Sequence, residues 1–92
     1  MPSMRLARSE SAILTILAAR GACYGLELVD ASRGRLKRGG IYVTLGRMEE
    51  KGLVRSEEGD SGRRLYRPTA LGERALLAAQ VFKGLVRLET QP

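Results

Sequence analysis

Thr44, Arg47 and Lys51 are spaced to share one side of a helix, and they carry the clearest chemistry in the chain. An arginine guanidinium presents paired N–H donors that match the O6/N7 edge of guanine, and a threonine meets a base edge or a thymine methyl. Gly39 and Gly40 precede this segment and leave the first N–H groups of the helix uncrowded, so Gly40 is expected to open an anion-binding helix terminus. Gly46 lies on the same side; it permits close approach and reads nothing. A second basic pair, Arg63-Arg64, follows the turn-rich tetrapeptide Gly59-Asp60-Ser61-Gly62. Arginines in such a position neutralise phosphate or enter a minor groove. Glu57, Glu58 and Asp60 stand close enough in sequence to compete for them.

The charge distribution supports a polyanionic partner. Of 92 residues, 16 are Lys or Arg and 10 are Asp or Glu, a net charge of +6. From Arg33 to Arg67, a stretch that includes Lys37 and Arg38, ten basic residues face five acidic ones, so +5 of the excess lies there. On charge alone, the alternative is a solvated basic surface. Catalysis finds no support. The chain has no histidine, no nucleophile elbow, no phosphate loop and no paired metal-ligand spacing, so no catalytic, cofactor or metal residue is assigned. The single cysteine, Cys23, cannot form an intrachain disulfide and reads as a reduced thiol in the cytoplasm. There is no apolar run of the ~18 residues that a membrane span needs. The basic Met1–Arg8 followed by apolar Ala12–Ala19 reads as the start of a core helix rather than a signal peptide.

These groups need elements to position them. Ser9 reads as the N-cap of a first helix ending at Gly21, with Ile13, Ile16, Leu17 and Arg20 at helical spacing. A second helix is expected from Tyr24 to Gly34, with Gly25, Leu28, Val29 and Ser32 on one face and Leu26 adding apolar surface. Arg33–Arg38 reads as a short strand or an extended connection. Ile41, Leu45 and Met48 give a third helix, Ile41–Lys51, its inward stripe. Residues 53–58 and 63–68 read as two strands of a hairpin, closed by Pro68. Thr69 is the expected N-cap of a last helix reaching about Leu88. On that helix Leu71, Ala75, Ala78, Phe82 and Leu85 form a heptad seam, and Leu77, Val81, Gly84 and Leu88 form a second stripe. Two stripes exceed what so small a domain covers alone, so one is expected to meet a second copy.

The expected fold is mainly α with a small β-hairpin. It is a winged helix-turn-helix, a three-helix bundle plus wing, forming one domain over residues 1–92 with a C-terminal dimerisation helix over 69–88. The third helix would enter the major groove of duplex DNA, with the wing on the backbone or minor groove. The competing reading is a winged-helix protein-interaction module whose basic segment meets an acidic partner.

Four segments, in order, resemble the PadR family of transcriptional regulators: Tyr24-Gly25-Leu26-Glu27-Leu28, the run from Gly40 to Glu49, Gly52-Leu53-Val54, and the run from Gly62 to Gly72. MarR-type and ArsR-type regulators share the architecture. The resemblance implies a homodimer built with the C-terminal helix that represses by occupying promoter DNA, often relieved by a small molecule. It also implies that Tyr24 and Tyr42 contact phosphate near the ends of the second and third helices. Thr44 and Arg47 would read the groove, and Arg63 and Arg64 would serve the wing. The family often has proline where Val43 stands and a larger polar residue where Gly46 stands. The short C-terminal part leaves no long second helix for an effector domain, so the sequence gives a small-molecule effector no support.

Overall fold

A computed structural model describes residues 5–89, with side chains described through Val81. The elements are α1 (Arg8–Arg20), β1 (Cys23–Tyr24), α2 (Gly25–Ala31), α3 (Ile41–Glu50), β2 (Val54–Glu58), β3 (Arg64–Pro68) and α4 (Ala70–Glu89), with a 3-10 turn at Asp60–Gly62. The strands form one antiparallel sheet in the order β1-β3-β2. In it Cys23 pairs with Tyr66, and Ser56 pairs with the same Tyr66 from the other side.

The first two helices begin in the same way. Glu10 reaches back to accept the Ala7 N–H at 2.8 Å, and Glu27 accepts the Tyr24 N–H at 2.8 Å. Each glutamate sits at the third helical position, where its charge also favours the positive end of the helix dipole. Ala7, not Ser9, is therefore the N-cap of α1. Gly21, with φ +87°, closes α1 by donating its N–H to the Leu17 carbonyl at 2.7 Å.

The second helix stops at Ala31, short of the expected Gly34. The buried Ser32 hydroxyl donates to the Val29 carbonyl and accepts the Leu36 N–H, while Arg33 and Gly34 adopt positive φ. The expected strand or extended connection over Arg33–Arg38 is thus a series of turns that delivers Leu36 to the core. Leu26, expected to extend the apolar face, is exposed instead.

The core is one cluster. It combines Ala12, Ile13, Leu14 and Leu17 of α1, Leu28 of α2, and Ile41, Leu45 and Met48 of α3. Leu36, Leu53, Val54, Tyr66, Ala75 and Leu76 complete it with Cys23. Burial pushes the Cys23 thiol above its ordinary pKa, which keeps it protonated.

Thr69 caps α4 as expected: its hydroxyl accepts the Gly72 N–H at 3.0 Å and donates to the Gly52 carbonyl. Gly72 is buried because α4 crosses the backbone at this point. A Cβ there would stand 2.1 Å from the Leu53 carbonyl oxygen.

A charge pair joins the two ends of the bundle. Glu10, only 5% exposed, accepts from Lys51 Nζ at 2.8 Å. Burial disfavours the charged carboxylate, but the Lys51 ammonium and the Ala7 N–H outweigh it and hold the pKa below its ordinary 4.5. A carboxyl whose pKa is depressed by folding contributes stability above its unfolded pKa. That contribution is lost as pH falls through the folded value.

Two outcomes follow. In urea unfolding, wild type should lose stability as pH drops below about 4.5, whereas Glu10→Gln should be weaker by about 1 kcal/mol at neutral pH and show a shallower acid loss. Gly72→Ala forces a side chain against backbone and should cost about 2–3 kcal/mol in the same measurement at neutral pH.

Candidate nucleic-acid interface

The exposed side of α3 is short and open. Tyr42 is 52% exposed and Val43 59% exposed. Val43, Gly46 and Arg47 follow helical i, i+3, i+4 spacing, so they form one row, and Arg47 is exposed in it. Arg47 forms no ion pair with any described residue. Thr44 is half-buried and donates its hydroxyl to the Gly40 carbonyl at 3.1 Å. With that proton used, the Thr44 hydroxyl keeps only its accepting lone pairs for other partners. Val43 did not figure among the expected site residues. The sequence carries no signal for its exposure, which becomes visible only with α3 packed on the core.

The start of α3 differs from expectation in one respect. The N–H groups of both Gly40 and Ile41 turn back to the Lys37 carbonyl, at 3.2 and 3.0 Å. The first bond of the helix ladder is Thr44 N–H to the Gly40 carbonyl, which leaves the N–H groups of Tyr42 and Val43 as the unpaired donors. The Gly40 N–H, expected to be free at the helix terminus, is therefore used within the chain. Lys37 and Arg38 are exposed at the turn just before α3, without ion pairs among the described residues.

The Tyr24-Gly25 junction organises the other contacts. The Tyr24 hydroxyl accepts the Asp60 N–H at 3.0 Å, and the Arg63 guanidinium lies 4.1 Å from the centre of the Tyr24 ring. Arg63 Nε also donates to the Asp60 carbonyl at 3.3 Å. Tyr24 thus anchors the hairpin tip, and its own hydroxyl proton remains for an outside acceptor. On its other side, Gly25 lets the Tyr42 ring approach α2. A Cβ at Gly25 would stand 2.7 Å from Tyr42 Cε1, so a side chain there displaces the ring. Tyr24, Tyr42, Arg63 and Arg64 come together around one crevice of about 250 Å³, with Gly25, Leu26 and Glu27 completing its walls.

The remaining wing charges are held internally. On the outer sheet face, Glu57 pairs with Arg67 at 2.9 Å, diagonally across the strands and two residues off register. The core-facing side carries Val54 and Ser56 of β2 and Arg64 and Tyr66 of β3. There Arg64 Nη2 donates to the Ser56 Oγ at 2.9 Å, and the Ser56 hydroxyl donates to Glu49 Oε2 at 2.8 Å. Beneath them, burial pushes the Tyr66 phenol above its ordinary pKa, with Glu49 adding to the effect. Lys51, expected beside Thr44 and Arg47, is committed to Glu10.

On α4 the expected seam divides. Ala75 is buried in the chain's own core, while Leu71 and Ala78 are exposed. Leu77, 60% exposed, and Val81, 54% exposed, face outward beside them. Phe82 and Leu85 lie outside the described side chains. No helix among the described residues is long and apolar enough to cross a membrane, and no cluster of metal-ligating side chains occurs among them.

Residues 13–78, most of the chain, match the Transcriptional regulator PadR-like family. Among solved structures, the chain is similar to a PadR family transcription regulator from hypervirulent Clostridium difficile. The two share 31% identity and a TM-score of 0.71, over 89% of this chain and 94% of that one. It is also similar to RosR of H. salinarum, at 27% identity and a TM-score of 0.73, over 95% of this chain and 81% of that one. The PcaV transcriptional regulator of Streptomyces coelicolor shares the fold, with 24% identity and a TM-score of 0.76 over 88% of this chain and 60% of that one. The chain thus spans nearly all of the Clostridium protein and less than two thirds of the Streptomyces one. No curated protein matches it by sequence. With the helix-turn-helix, the wing and the family match in agreement, the chain belongs to the PadR-like family of transcriptional regulators, which are DNA-binding proteins and not enzymes.

Proposed function

We propose that the protein is a homodimeric, cytoplasmic repressor that binds duplex DNA in a sequence-specific way. In this reading α3 enters the major groove, and the hairpin wing lies on the adjacent backbone or minor groove. The observation that carries it is the crevice in which α2, α3 and the wing bring Tyr24, Tyr42, Arg63 and Arg64 together beside the exposed row of α3. Arg47 reads a base edge from that row, with Val43 and the Thr44 methyl as apolar neighbours. The unpaired N–H groups of Tyr42 and Val43, the Tyr24 and Tyr42 hydroxyls, and Arg63 and Arg64 take phosphates. Lys37 and Arg38 add positive charge next to the helix start.

The dimer is supported by what α4 leaves uncovered. Leu77 and Val81 are large, apolar and exposed, and Leu71 and Ala78 border them. Phe82 and Leu85 extend the seam by sequence spacing, whereas Ala75 serves the chain's own core. Pairing two α4 helices would place two recognition helices about a two-fold axis, to match a near-palindromic site.

A salt titration on selected promoter DNA and on random duplex tests this reading. Affinity for both should fall steeply with salt, while a preference for one site persists. Arg47→Ala should cost about 1–3 kcal/mol on the preferred site and much less on random duplex. Equal affinity of wild type for all sequences would overturn specific recognition.

A further inference from the structure

The contact between Arg64 and α3 has a forced direction. Glu49 carboxylate oxygens only accept hydrogen bonds, and the Arg64 guanidinium only donates them. The Ser56 hydroxyl, with one proton and two lone pairs, does both. It donates to Glu49 Oε2 at 2.8 Å and accepts from Arg64 Nη2 at 2.9 Å and Nε at 3.3 Å. The Ser56 carbonyl accepts from Nη2 as well, at 3.2 Å. These bonds use the Nε and Nη2 edge of the guanidinium, and the two N–H groups of Nη1 have no partner among the described residues. Glu49 and Arg64 themselves form no ion pair: those among the described residues are Lys51–Glu10 and Arg67–Glu57. The serine therefore tethers the arginine to α3 and stands between it and the carboxylate, so that no direct ion pair forms.

We propose that Ser56 is a positioning residue for DNA binding: its hydroxyl ties the Arg64 guanidinium to Glu49 of α3 and holds the free Nη1 edge outward for a phosphate. The proposal rests on the reading of Arg64 as a phosphate contact. Without the hydroxyl, Arg64 loses the two Oγ bonds among its three hydrogen bonds to Ser56 and keeps only the one to the Ser56 carbonyl. The freed guanidinium then swings to the nearby Glu49 carboxylate, and a bidentate pair there competes directly with phosphate. Ser56 thus sets the charge that the wing offers.

The test is anisotropy of a fluorescent random-sequence duplex, titrated at several salt concentrations, with thermal melting of each variant. Arg64→Ala should weaken binding about five- to ten-fold and flatten the salt slope by about one phosphate's worth. Ser56→Thr keeps the hydroxyl and adds a methyl group, and Ser56→Val has the β-branched shape and strand preference of that threonine without a hydroxyl. Ser56→Val should weaken binding about three- to five-fold with a flatter salt slope, while Ser56→Thr binds like wild type and both melt alike. Adding Glu49→Gln to Ser56→Val should recover part of the loss, because the competing carboxylate is gone. If Arg64→Ala weakens binding and Ser56→Val does not, the positioning role is wrong while the phosphate contact stands. If Arg64→Ala binds like wild type, the phosphate contact is wrong and the role of Ser56 falls with it.

Discussion

Everything presented to the outside on this surface is registered at the junction of β1 and α2. Tyr24 ends a strand paired with β3, holds the hairpin tip through the Asp60 N–H, and lies under the Arg63 guanidinium. Gly25, the next residue, has no Cβ and so admits the Tyr42 ring of α3. Two adjacent residues thereby fix the wing and the third helix relative to α2. A winged helix depends on that constraint, because a groove-reading helix and a backbone-touching hairpin must match a duplex of fixed dimensions together. Pairing of β1 with β3 makes the hairpin the central and outer strands of a three-stranded sheet rather than an isolated ribbon, which on its own is marginally stable.

The second organising feature is how charge is distributed between structure and surface. The basic stretch from Arg33 to Arg67 carries a net +5, but the individual groups are not equivalent. Lys51 is committed to the buried Glu10, and Arg67 to Glu57. Arg64 is tethered through a hydroxyl and keeps one donor edge free. Arg47, Lys37 and Arg38 stay exposed without ion pairs among the described residues. The first two pairings differ in what they contribute. The exposed Arg67–Glu57 pair adds little stability in water, whereas the shielded Glu10 carboxylate ties α1 to the end of α3. Counterion release on binding therefore reflects the free cations, a smaller number than the sequence total suggests.

Much of this architecture was legible in the residues, and the exceptions have local causes. The stripe of Ile41, Leu45 and Met48, the cap at Thr69, the stop at Gly21 and the placing of Arg64 and Tyr66 on one strand face follow directly from period and cap chemistry. Strand β1 was missed because two residues carry no alternation to detect. Ser9 looked like the cap of α1 because serine favours that position, but Glu10 satisfies the helix start from one turn inside. The turns at Arg33 and Gly34 depend on the buried Ser32 hydroxyl, a tertiary circumstance that local sequence does not reveal. Lys51 matched the outward face by spacing, yet its partner lies 41 residues away. Pairings of that kind, like the Ser56 link to Glu49, arise only once the chain has folded.

Hydroxyl-radical footprinting of the purified protein on DNA selected from random sequence tests the central claim most directly. Two recognition helices related by a dimer axis, each beside its own wing, should protect two symmetric patches spaced by about one helical turn or a whole multiple of it. One unpaired patch, or protection without helical phasing along every duplex, would contradict it.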